Sequence, residues 1–353
     1  MIIGVGLYTV IAVLLFAGSS RQDDVNDQLS KRTGVHLRAV SCLMVLVGHL
    51  FAARGSITWF YADQAGACGV AMFFFLSGYG LVKSMGEDYM RGFLFKKAVK
   101  LWVPIILLFP VYYLLYNYLI LYPTEAYRGI INLAISTFHG DTIIQGSWYL
   151  ITLSWFYLAF WGAYKYTFSR GRRDWKIFCV IIFIAYLLYI ARVFTEGAGF
   201  IWMYTPHMFI VGMLWSINEK KLKEARILRL VLFLIAIAGI VLAGRLEIRS
   251  RGGYVLATIL LSSGSVFVML FVTMHLRIGN KVTELIGRHS FGIYLIHWLF
   301  YYSLDRFLDN TILWLILSLA LAIGVGIPVD IGVGNLSRSI ISLRYPSSRR
   351  IPR

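Results

Sequence analysis

Residues 37–51 read LRAVSCLMVLVGHLF, an apolar run carrying two basic side chains, Arg38 and His49. Extended to 36–53, it is long enough, at about 1.5 Å per residue, to cross a hydrocarbon layer roughly 30 Å thick. Arg38 and His49 are eleven positions apart. At about 100° per residue they fall within about 20° of one helix face, separated by roughly 16.5 Å of rise. Counted from residue 36, Arg38 lies near one surface and His49 near the midplane. Ionisable groups at membrane depth cost a few kcal/mol or more, so each is a functional candidate.

The rest of the chain agrees with a membrane reading. Of 353 residues, 59% are hydrophobic and 14% charged, and the mean hydropathy is +0.71. A water-soluble fold has too little interior for that much apolar side chain. Eleven stretches are long enough to span, at about 2–17, 36–53, 66–84, 101–121, 147–166, 175–193, 200–217, 228–244, 254–275, 286–303 and 311–333. The expected fold class is therefore all-α, a polytopic helix bundle. The first stretch lacks a basic leader and reads as a retained helix rather than a signal peptide.

The net charge of +17 has a topological origin. With loop 18–35 cytoplasmic, 27 of the 34 Lys and Arg residues fall on the inner side and seven outside. This is the positive-inside pattern, with the amino terminus outside and the carboxyl terminus cytoplasmic. The basic clusters lie between apolar runs rather than on one continuous face, which argues against nucleic acid and for a lipid bilayer as partner. Cys42, Cys68 and Cys179 show no ligand spacing and read as buried free thiols; no metal site is expected. Residues 85–100 read as amphipathic, and 122–146 form the largest external loop.

Among the other histidines, His297 is eleven residues beyond 286, at a depth like that of His49. His289 lies near the inner end of the same span. His207 follows Pro206, where structural and functional roles are equally open. His36, His139 and His275 lie at or outside the interfaces and are expected to be solvated. In GVAMFFFLSGYGL (69–81), Ser77-Gly78 suits a kink or a close helix crossing through small residues. Gly146-Ser147-Trp148-Tyr149 opens the fifth span, where the two rings fit either an aromatic belt or a surface on which a sugar stacks. Buried ionisable groups suit an enzyme or a proton-coupled transporter or flippase of an anionic or lipid-linked solute. No internal repeat of the transporter kind is visible.

Four segments taken in order, LRAVSCLMVLVGHLF, GVAMFFFLSGYGL, FLFKKAVKLWVP (93–104) and IGRHSFGIYLIHW (286–298), resemble the acyltransferase-3 family of integral membrane acyltransferases. The resemblance implies a ten-helix core plus one extra N-terminal helix: 1–35 the added helix and loop, 36–333 the acyltransferase domain, 334–353 a basic cytoplasmic tail. It implies transfer of an acyl group, usually acetyl, from cytoplasmic acetyl-CoA to a hydroxyl of an extracytoplasmic or lipid-linked carbohydrate. Arg38 and His49 match the family's Arg and His, and His297 matches the histidine of its late Tyr-Leu-x-His motif. The expected catalytic residues are His49 and His297. Arg38, Lys96, Lys97, Lys100, Arg172 and Arg173 are expected to bind the acyl-CoA phosphates, and Ser77, Tyr79, Trp148 and Tyr149 to line the acceptor site. Two departures stand out. Lys97 and Lys100 replace Arg, losing bidentate phosphate binding, and GSWYLITLSWFYL (146–158) lacks the acidic pair many members carry.

Overall fold

The computed structural model describes residues 2–21, 28–54, 64–115, 144, 146–168, 174–195, 199, 202–246 and 250–346. Within them the chain is almost entirely helical. Hydrocarbon offers no hydrogen-bond partner, so a spanning segment must satisfy its own backbone groups. The described helices are α1 (Ile2–Phe16), α2 (Lys31–Arg54), α3 (Ala65–Lys83), α4 (Glu87–Met90), α5 (Phe93–Leu115), α6 (Trp148–Thr167) and α7 (Trp175–Thr195). They continue with α8 (His207–Glu224), α9 (Arg226–Ala243), α10 (Arg251–His275), α11 (Lys281–Arg288), α12 (Ser290–Asp305) and α13 (Thr311–Arg344). One two-residue antiparallel pair departs from the all-helical expectation: β1 (Ser20–Arg21) lies beside β2 (Leu276–Arg277).

Seven of these helices, α2, α3, α5, α7, α9, α10 and α13, are long and apolar enough to cross a membrane. The other four of the eleven expected spans fall short for visible reasons. α1 has 15 residues and α12 has 16. α8 ends in the charged run Glu219-Lys220-Lys221-Leu222-Lys223-Glu224, and α6 is rich in Trp and Tyr.

Several boundaries differ from the predicted spans. α5 starts at Phe93 and absorbs most of the basic stretch, leaving only the four-residue α4 before it. α8 starts after Pro206, because proline fixes φ and lacks an N–H but is tolerated at a helix start. The span 286–303 is divided at His289, which caps α11 before α12 begins at Ser290. α11 is set by a capping box, in which Asn280 accepts from Val282 N and Thr283 N while the Thr283 hydroxyl accepts from Asn280 N. α13 continues for 34 residues to Arg344, through the first part of 334–353.

The chain forms two compact units, Met1–Ser84 with Met203–Tyr294, and Met85–Trp202 with Leu295–Arg353. In the first unit α2 and α3 pack antiparallel, and Gly69 lies so close to α2 that a Cβ there would collide with the Ser41 carbonyl. α3 and α8 run parallel, since Phe75 meets Gly212 and Lys83 meets Glu219. At this crossing a Cβ on Gly78 would strike the Phe209 carbonyl and a Cβ on Gly212 the Phe75 carbonyl. The small-residue reading of Ser77-Gly78 is thus realised as a close helix approach. α9 and α10 are joined in part by stacking of Phe233 on Phe271, centroids 4.2 Å apart.

In the second unit α6 packs on α7 through Phe160 and Phe178, centroids 5.3 Å apart. α5 lies between α6 and α13, with Phe93 edge-on to Tyr157 and Phe95 beside Tyr345. Gly92, at φ +66°, leads into α5 beneath the Tyr345 ring, which leaves no room for a Cβ.

Candidate functional site

Arg38 and His49 both lie on α2, so the helical period keeps them in line as the sequence requires. Each is half-buried. Along the helix, however, His49 is displaced from the middle. α2 begins at Lys31, five residues before the predicted span, and His49 is five residues, roughly 7.5 Å, from its Arg54 end. It stands level with the first turn of α3, where the Cβ missing from Gly66 would be 4.0 Å from His49 Cδ2.

The motif on α3 serves the helix crossing. Ser77 is half-buried, while Tyr79 is buried and its hydroxyl donates to Glu219 Oε1 at 3.0 Å. Glu219 is also paired with Lys223 at 2.8 Å and with Lys83. By sequence Glu219 is one more acid among inner-side lysines, and no local pattern singles it out. Burial raises its carboxyl, but hydrogen bonds from Lys223, Lys83 and Tyr79 and the Lys223 charge outweigh burial and hold it below the usual carboxylate range. A depressed carboxyl stabilises the fold above its unfolded pKa, about 4.3, and that contribution is lost as the pH falls through the lower folded value. Glu219→Gln is therefore expected to cost about 1.5–3 kcal/mol at neutral pH. Thermal unfolding in detergent should show a Tm deficit that is constant above about pH 6 and narrows below about pH 4.

Two histidines of the first unit are held structurally. His207 Nε2 is 2.8 Å from Ser263 Oγ. His36, expected to be solvated, is 1% exposed, because α11 covers the start of α2. Its Nδ1 lies 2.9 Å from Thr283 Oγ1, and Gly279, at φ +95°, comes so close to its ring that no Cβ fits. His275 is exposed, as expected, and His139 lies outside the described residues. Cys42 and Cys68 are buried and Cys179 half-buried, all as free thiols.

In the second unit His297 is fully buried at the middle of α12, with the Tyr301 ring edge-on at 5.2 Å and Trp298 at 5.6 Å. Lys97 Nζ is 4.5 Å from the Tyr157 ring centroid, 5.5 Å from Phe93 and 5.7 Å from Tyr89. Lys96 lies over Tyr345 at 5.2 Å, and Lys100 is exposed. The first two turns of α5 thus present three cations, one of them ringed by aromatic faces. Trp148 and Tyr149 are each 8% exposed, and Trp148 packs on Trp202 at 5.8 Å. Such burial suits a packed wall better than a lipid-facing belt. Nearby, the Tyr189 hydroxyl is bonded to Thr152 and to the Trp202 carbonyl. Arg172 and Arg173 lie outside the described residues.

A family model described as an acyltransferase domain, Acyl_transf_3, matches residues 36–331. The match covers most of the chain, which belongs to the acyltransferase-3 family. With its apolar helices, the protein is a multi-pass membrane acyltransferase, and the transporter reading gives way. No curated protein and no solved structure matches the chain.

Proposed function

We propose that the protein transfers an acetyl group from cytoplasmic acetyl-CoA to a hydroxyl of an extracytoplasmic or lipid-linked carbohydrate, such as a surface polysaccharide. The observation that carries this reading is the alignment of Arg38 and His49 on one face of α2. A guanidinium about 16.5 Å of helix rise from an imidazole separates an anion-holding group from a proton-accepting one. That length suits a donor with phosphates at one end of a flexible arm and a thioester at the other.

In this mechanism Arg38 holds a phosphate of the donor, and Lys96, Lys97, Lys100, Arg172 and Arg173 have the same role. His49 takes the proton from the acceptor hydroxyl as its oxygen attacks the thioester carbonyl. The C–O bond forms, the C–S bond breaks, and the imidazolium returns the proton to the departing CoA thiolate. In the covalent variant His49 itself accepts the acetyl group before passing it on. His297 is the second catalytic histidine, a role supported by its place in the Tyr-Leu-x-His motif. Ser77, Trp148 and Tyr149 line the acceptor path; Tyr79 supports it through Glu219. In the topology the charge pattern favours, the basic inner loops and the carboxyl-terminal tail face the cytoplasm and the amino terminus lies outside, which suits an anionic donor arriving from the inner side of a cell membrane.

The test is to incubate the purified protein in detergent with labelled acetyl-CoA and candidate glycan acceptors. CoA release together with labelled glycan is expected, and neither product from any acyl-CoA would overturn the reading. Arg38→Lys is expected to raise the KM for acetyl-CoA about tenfold, equivalent to about 1.4 kcal/mol, because Lys cannot bind phosphate bidentately. Unchanged kinetics would make Arg38 a membrane anchor instead.

A further inference from the structure

A pocket of about 240 Å³ opens within the first unit among α2, α3, α9 and α10. Its wall includes Ser41, Met44, Cys68, Met72, Ser265 and Met269. The hydroxyls in that wall are already engaged. Ser41 donates to the Leu37 carbonyl at 2.7 Å; Ser265 donates to the Leu261 carbonyl at 2.8 Å and lies 3.4 Å from Cys68 Sγ. A buried water needs two to four polar partners, and these side chains have little left to offer it. An unfilled apolar space forfeits dispersion contacts along its whole lining, and one of roughly 150 Å³ already takes a benzene-sized guest.

The surroundings and dimensions narrow the occupant. All four helices are long and apolar enough to cross a membrane, which puts a pocket among them within reach of lipid chains. Its volume, below the roughly 300–1,000 Å³ of pockets for drug-sized ligands, suits a segment of a slender chain rather than a whole ligand. Three of the eleven lining residues are methionines, whose unbranched, flexible side chains conform to an irregular guest. The pocket is also distinct from the reacting line. Leu37, Ser41 and Met44 form its stripe on α2, about 100° around the helix from the face that carries Arg38 and His49.

We infer that this pocket is a binding site for a single hydrocarbon chain of a membrane lipid. The site stands whatever donor and acceptor the enzyme uses. The chain is an acyl chain of a bilayer phospholipid, whose linear methylenes suit a wall of flexible methionines; a polyprenyl phosphate carrier, methyl-branched in every isoprene unit, is the rival the test separates from it.

The experiment uses the full-length protein in detergent with a phosphatidylcholine bearing a diazirine on one acyl chain. After illumination, labelled peptides are located by mass spectrometry. The α3 peptide containing Cys68 and Met72 is expected to label more strongly than the lipid-facing part of α7 around Leu187 and Leu188. Ser265→Phe, or Met269→Trp as a second occluding variant, should reduce the α3 label about tenfold and leave the α7 label unchanged. Excess unlabelled phosphatidylcholine and polyprenyl phosphate then identify the source. Displacement by phosphatidylcholine, with or without displacement by polyprenyl phosphate, upholds the site; displacement by polyprenyl phosphate alone overturns it in favour of a carrier. Label spread evenly over α3 and α7 in the unaltered protein, or displaced by neither competitor, overturns it.

Discussion

His49→Ala is expected to lower the turnover of acetyl transfer by about 10²–10⁴, the range general acid–base catalysis contributes. If the histidine carries the acetyl group itself, the loss is complete. The substitution removes a half-buried ring beside Gly66. The variant should insert, accumulate and elute from size exclusion as the unaltered protein does. The KM for acetyl-CoA should stay close to its original value, because a group acting in the transition state lowers kcat without weakening donor binding. This is the opposite of the Arg38→Lys expectation, so the two substitutions separate the two ends of α2. Transfer retained at the original rate would remove His49 from the reaction. Preserved insertion with lost transfer, by contrast, could not be explained by a packing role.

Gly78→Val should have an equally large effect on the fold. Most overpacking costs about 1–3 kcal/mol because side chains can shift. Here the added atom meets the Phe209 carbonyl and, at 3.2 Å, the Met213 backbone nitrogen, and a backbone moves only if α3 and α8 part. Separation at Gly78 also opens the reciprocal approach of Gly212 to Phe75 and strains the bond from Tyr79 to Glu219. The expected result is loss of the monodisperse species in detergent, or a fall in Tm well beyond that of Glu219→Gln. Gly80→Ala is the control. Two residues along the same helix, its Cβ would meet nothing within 4 Å, and replacing a mid-helix glycine gains about 0.5–1 kcal/mol. Equal behaviour of the two variants would show that the crossing is looser than described.

Legibility in the sequence followed the range of each interaction. The Arg38–His49 alignment needs only the helical period, and both residues fall on one helix as expected. Ser77-Gly78 was readable as a close approach because glycine inside an apolar helix has few other uses, although its partner Gly212 was not. Helix ends were harder. Pro206 delays α8, His289 divides a continuous apolar run, and α13 runs on to Arg344 through Gly334-Asn335, a pair that reads locally as a helix stop. The position of His49 along α2 moved for the same reason. Hidden partners depended on tertiary neighbours. His36 is interfacial by sequence position but is covered by α11, and Glu219 acquires its role only when Tyr79 and Lys83 arrive from a helix 140 residues earlier. The aromatic surround of Lys97 likewise joins α4, α5 and α6, three segments whose proximity no local pattern announces.

The short pairing of Ser20–Arg21 with Leu276–Arg277 limits the number of crossings between them. Its two strands are bonded residue to residue, so both emerge on the same side of the bilayer. A chain that leaves one side and returns to it must cross an even number of times, whatever the individual helices do. Eight predicted spans lie between Arg21 and Leu276, a number that obeys this parity, whereas seven or nine would tear the pair apart. Asn280 strengthens the closure by donating to the Leu14 and Ala17 carbonyls, as does Gly279 N to the Leu15 carbonyl. The helix that precedes the family domain is thereby fastened to a point more than 250 residues downstream, and the loop so closed must come back to the face it left.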